Sequence, residues 1–94
     1  MEEWRVLAGR RQFAEAAELL RPRLSGNVRM GYYAAEGYRL EKSGDEAPDE
    51  NERRRQWEAA LESYLLYSLA PARGDTSDYG WGLASDVLTK LDAL

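Results

Sequence analysis

Apolar residues recur at intervals of three and four along almost the whole chain. That spacing places them on one side of an α-helix. Five helical segments follow from it. The first is Glu2 to about Ala8, with Trp4 and Leu7 on one face. The second is about Gln12 to Arg21, where Phe13, Ala16, Ala17 and Leu20 form the stripe. The third, about Val28 to Lys42, sets Tyr33, Gly37, Leu40 and Glu41 along one side. The fourth, about Glu52 to Ala70, is the longest, with Trp57, Ala60, Leu61, Tyr64, Leu65, Tyr67 and Ser68 inward. The fifth, about Tyr79 to Leu91, turns Trp81, Ala84, Ser85, Leu88 and Leu91 toward the core. β-Branched residues are few and isoleucine is absent, which favours helix over strand. The expected fold class is all-α.

Breaks fall where turn residues cluster. Gly9-Arg10-Arg11 closes the first helix, and Leu24-Ser25-Gly26-Asn27 reads as a turn ending in a helix cap. Ser43-Gly44-Asp45 stops the third helix, with Gly44 suited to a left-handed C-cap. An exposed acidic loop is expected near residues 45–51, with Asp49 or Asn51 capping the helix after it. Pro71 and Gly74 end the fourth helix, and Asp75 to Asp78 form a loop. Gly80 and Gly82 each weaken the fifth helix by about 1 kcal/mol relative to alanine. A glycine near a helix start often permits close backbone approach, so Gly82 is placed near a contact.

Two helix types alternate. Phe13-x-x-Ala16-Ala17-x-x-Leu20 and Trp57-x-x-Ala60-Leu61-x-x-Tyr64 share an aromatic, a small residue three on, and large apolar residues beyond. Tyr33-x-x-x-Gly37-x-x-Leu40 and Trp81-x-x-x-Ser85-x-x-Leu88 share an aromatic and a small residue four on. In order, Tyr33, Gly37, Leu40, the Gly44-Asp45 turn, Trp57, Ala60, Tyr64 and Pro71 resemble a tetratricopeptide-type (TPR) helical repeat. About one and a half repeats with a capping helix would fill residues 1–94 as a single domain. The small residues let helix axes approach, and the aromatics fill the space beside them. Phe13 and Tyr33 lie 20 residues apart and Trp57 and Trp81 lie 24 apart, near the roughly 21 that the repeat implies. Residues 46–56 depart from it as an insertion, either a loop or added turns on the fourth helix. Another small helical bundle would reproduce part of the same pattern.

Composition narrows the chemistry. The 94 residues contain no histidine and no cysteine, so the commonest general base, a thiol nucleophile and the usual zinc ligands are missing. Paired carboxylates such as Glu15 with Glu18 and Glu58 with Glu62 fall opposite the apolar stripes and read as solvated faces. No residue run matches a calcium loop, and no glycine-rich phosphate loop follows a strand. Neither an enzyme, a metal nor a cofactor is expected. The formal charge is −4, and all of it falls in residues 48–94, so a basic partner should be sought there. Arg53-Arg54-Arg55 points in three directions on a helix and is offset by Asp49, Glu50 and Glu52. Nucleic acid is therefore not an expected partner. No stretch is apolar enough to span a membrane, and Met1 to Arg5 lacks the basic start of a signal peptide. A cytoplasmic location is expected.

The resemblance implies a non-catalytic protein–protein interaction module, an adaptor with a shallow groove. Carried over from the family, the groove-facing positions are Ala34, Tyr38, Gly82 and Asp86. Tyr79 joins them as a less constrained aromatic. Tyrosine beside small residues suits a protein or peptide partner. These residues lack the lysine, asparagine and arginine of the family's carboxylate clamp. Self-association through the short first helix or the last helix is a second expectation, which full coverage of Trp4 and Leu88 within one chain would count against. Two other readings are a regulatory module acting on nucleic acid or a nucleic-acid enzyme through its arginines, and a non-catalytic subunit stabilising a larger enzyme.

Overall fold

The computed structural model describes residues 2–25, 31–69 and 77–94. Among them are five α-helices and no strand: α1 Glu3–Gly9, α2 Phe13–Leu20, α3 Tyr32–Glu46, α4 Glu50–Leu69 and α5 Ser77–Asp92. A 3₁₀ turn, Arg21–Arg23, continues α2. The all-α class and the number of helices match the reading of the sequence.

Helix α4 is the centre of the fold. α2, α3, α5 and the 3₁₀ turn all pack against it, and α1 packs against α2. Trp57, Ala60, Leu61, Ser63, Tyr64, Leu65, Leu66 and Ser68 are all buried. They surround the helix rather than forming a stripe, as expected where neighbours cover every side. Ser63 and Leu66 lie outside the predicted face for this reason. Tyr67 is only partly buried. Complete burial of leucines such as Leu61 and Leu65 contributes roughly 1.5–3 kcal/mol each.

Two short connections make helical hairpins. Arg10–Gln12 joins α1 to α2, and Ala47–Asp49 joins α3 to α4. The first closes α1 with Arg11 in the left-handed region at φ 63°. There the Gln12 amide donates to Leu7 O and the Arg11 amide to Ala8 O, a Schellman closure.

The second connection is shorter than the loop expected at 45–51. Asp45 and Glu46 belong to α3, and Glu50 and Asn51 to α4. Residues 46–56 therefore mainly add turns to α4. Of the two candidate caps, Asp49 serves: its carboxylate accepts from the Glu52 amide at 2.8 Å and its carbonyl from the Arg53 amide. Gly44 does not stop α3. It lies buried inside the helix, and a Cβ there would meet Trp57 Cδ1 at 2.3 Å. The glycine serves helix crossing instead of a turn.

Helix α5 starts at Ser77, two residues before the expected Tyr79. Its close approach comes at Gly80, where a Cβ would lie 3.0 Å from Ser68 Cβ; Gly82 is exposed with nothing within 4 Å. The predicted contact glycine was thus one α5 glycine too late. Ala84, Leu88 and Leu91 are buried as expected, together with Val87. Trp4 and Leu88 are covered within a single chain. Val6 on α1 and Tyr79 on α5 stay exposed. Gly26, Asn27, Val28, Ala70, Pro71, Gly74, Asp75 and Thr76, which carried other boundary expectations, lie outside the described residues.

Candidate functional site: an aromatic face on α3 and α5

Glycine spacing sets the geometry of the site. Gly37 and Gly44 stand two turns apart on α3, as Trp57 and Tyr64 do on α4. A Cβ at Gly37 would meet Tyr64 Cε1 at 2.5 Å, as one at Gly44 would meet Trp57. The pairs run in opposite order, so α3 and α4 are antiparallel. Gly80 against Ser68 and Lys90 against Trp57 make α5 antiparallel to α4 as well. Helices α3 and α5 thus run side by side on α4, with its aromatics between them.

A polar clasp joins the three helices. The Lys90 ammonium lies 2.8 Å from Glu41 and 2.9 Å from Asp45. The same ammonium sits 5.6 Å from the centroid of the Trp57 ring. The Trp57 indole N–H donates to Glu41 O and to Asp45 Oδ1, both at 3.2 Å. The Tyr64 hydroxyl donates to Glu41 Oε1 at 2.8 Å. Burial, together with the Glu41 hydrogen bond, pushes the Tyr64 phenol far above its ordinary pKa. Burial opposes the charge on Lys90, but its hydrogen bonds to Glu41 and Asp45 outweigh that and raise its pKa. A nucleophilic lysine needs the opposite shift, and a tyrosine base needs ionisation. The arrangement holds the three helices together.

Two of the exposed residues on this face are aromatic. Tyr38 on α3 is 60% exposed and Tyr79 on α5 is 62% exposed. Tyr38 directly follows Gly37, where a Cβ would meet the Tyr64 ring. Tyr79 also meets Tyr67 edge to face, with centroids 6.0 Å apart. Lys42 Nζ lies 5.7 Å from the Tyr38 ring centroid.

The residues expected at a groove fall into two groups. Tyr79, Gly82 and Asp86 line one hollow with Asp78 and Leu83. Ala34, half-buried, and Tyr38 stand one turn apart on α3, outside that hollow. Sequence reasoning set Glu41 on the right side of α3 but gave it no role, and it missed Asp78, Leu83 and Lys90 as site residues. Lys90 had a readable signal: it is one of two lysines in the chain and lies between the inward Leu88 and Leu91.

The described arginines are largely occupied. Arg5 faces Glu58, Arg11 faces Asp92, Arg21 faces Glu18, and Arg23 faces both Glu2 and Glu62. Arg39 pairs with Glu36 and Arg55 with Glu52. Arg53 donates to the carbonyls of Gly44 and Ala47. Among the described residues, no group of three or more carboxylates is placed to hold a metal ion. None of their helices is long and apolar enough to cross a membrane. No family model, curated protein or solved structure matches the chain.

Proposed function

We propose that this protein is a non-catalytic interaction module of TPR-like design that binds a protein segment in the groove between α3 and α5. The observation that carries the reading is the pair Tyr38 and Tyr79. Each is more than half exposed, Tyr38 next to the Gly37 that meets Tyr64 and Tyr79 against Tyr67 of the same helix α4. Large exposed aromatics on rigid helices suit recognition, because a tyrosine presents much area and loses little freedom on binding. Gly37, Gly44 and Gly80 fix the helix spacing through close approach to α4, so the groove is held in shape before a partner arrives.

Two features weigh against the arginine-based reading. Carboxylates and carbonyls already engage most described arginines, and the formal charge of −4 opposes a polyanion. A role as adaptor or as supporting subunit of a larger assembly uses the same groove.

Selection of short random peptides on the full chain tests the proposal, with depletion on a Tyr38→Ala/Tyr79→Ala double variant. Both residues are exposed, so the variant should keep its helical circular dichroism. Binders that lose about tenfold or more in affinity on the variant support the groove, as two aromatic contacts would give. Binders indifferent to both substitutions would refute it.

A further inference from the structure

We propose that the groove's partner is a basic segment, and that the hollow on α5 receives one of its arginine or lysine side chains. The inference rests on the groove reading above and adds the chemistry of the occupant. The hollow is about 310 Å³ and is lined by Asp78, Tyr79, Gly82, Leu83 and Asp86. Gly82 leaves its base open, since nothing lies within 4 Å of where a Cβ would be. Tyr79 and Leu83 give it apolar walls. Asp78 and Asp86 are exposed, two turns apart on α5.

Charge decides which side chain fits. Glu41 and Asp45 on α3 are already held by Lys90. Asp78 and Asp86 form no ion pair with any described cation. A long cationic side chain satisfies both parts of the hollow, with its methylene stem on Tyr79 and Leu83 and its charged head at a carboxylate. An aromatic face adds attraction for the cation, and the chain already seats its own Lys42 over Tyr38 and Lys90 over Trp57. An acidic segment would bring like charge against Asp78 and Asp86, which selects against it.

Groove-dependent peptides from the selection above provide the test. The expected peptides are rich in arginine or lysine and poor in aspartate and glutamate. Their affinity, read by fluorescence polarisation of the labelled peptide, should fall about fivefold on Asp78→Asn/Asp86→Asn, as loss of two exposed ion pairs gives. Asp86→Lys alone should weaken binding further. It lies mid-helix on an exposed face, away from the α5 start, so it separates binding from helix stability. The affinity should also drop as salt rises. Groove-dependent peptides lacking basic enrichment, or indifferent to both acid variants, would overturn the basic-partner inference and leave the groove standing. Absence of any Tyr38- and Tyr79-dependent peptide would overturn the groove reading and this inference together.

Discussion

Gly44 lies so close to Trp57 that a methyl group on its α-carbon would meet Trp57 Cδ1 at 2.3 Å and Nε1 at 2.5 Å. The indole N–H bonds back to Glu41 O and Asp45 Oδ1 on the same helix. Such a contact leaves no room for the larger residue that helix propensity prefers. Alanine in a helix interior is ordinarily better than glycine by roughly 1 kcal/mol. At Gly44 the sign should reverse, because added volume against a fixed ring costs about 1–3 kcal/mol. Gly37→Ala should behave alike against Tyr64. Gly82→Ala, on the open face of α5, should stabilise by about 0.5–1 kcal/mol. Urea unfolding of the three variants checks this: one common sign for all three would refute the assignment of roles.

Arg11 is the next site where a substitution should run against habit. It holds a left-handed φ of 63° at the end of α1, a conformation that costs a non-glycine residue roughly 1–2 kcal/mol. Its guanidinium donates to Asp92 at 3.0 Å, but both partners are exposed. A pair of that kind gives about 0–1 kcal/mol. Arg11→Gly should therefore stabilise the chain by about 0.5–1 kcal/mol. Thermal melts in the wild-type and Asp92→Asn backgrounds separate the backbone gain from the lost pair. A drop in Tm in both backgrounds would contradict the Schellman closure.

The contrast between Gly44 and Arg11 shows what could be read from the chain and what could not. Periodicity marks a helix where burial on one side is a local pattern, and the Phe13 and Trp81 helices follow from it, whereas α4 is buried on several sides. The role of a glycine is not local. Ser43-Gly44-Asp45 has the look of a stop, yet α3 continues to Glu46 because Trp57 requires a residue without a side chain there. Between Gly80 and Gly82 the sequence offers no preference, and only the approach of Ser68 decides. Of the residues expected at a groove, Tyr79 was legible as a less constrained aromatic, and Ala34, Tyr38, Gly82 and Asp86 came through the repeat resemblance. Asp78, Leu83 and the Glu41–Lys90 clasp depend on how α5 lies beside α3. A charge on one helix and its partner 49 positions away carry no signal until the helices are placed.

The start of α4 gives a smaller effect of known origin. The Asp49 carboxylate accepts the Glu52 amide at 2.8 Å, supplying one of the four orphan amides of that helix with a partner. Asp49→Ala should cost about 1 kcal/mol, and Asp49→Ser should recover most of it. Asn51→Ala should leave stability nearly unchanged, since Asn51 is already inside the helix and exposed. Chemical denaturation ranks the three. Equal losses for Asp49→Ala and Asn51→Ala would place the cap elsewhere.

The clasp predicts sensitivity to alkali. Burial and the Glu41 hydrogen bond raise the Tyr64 pKa far above its ordinary value of 10.0. Lys90 is likewise raised above its ordinary 10.5: burial opposes its charge, and the bonds to Glu41 and Asp45 prevail. In both cases the folded chain keeps a proton that the unfolded chain releases. The stability from each is fully present below the unfolded pKa and falls as pH rises past it, since the native state then binds more protons. The Tm should hold steady through neutral pH and decline from about pH 10 upward. Tyr64→Phe removes one hydrogen bond and should cost about 1 kcal/mol at pH 7. Its alkaline decline should be shallower, because only the Lys90 contribution remains of the two. Melts of both proteins between pH 7 and pH 11 measure the difference, and parallel declines would show that Tyr64 keeps no proton through folding.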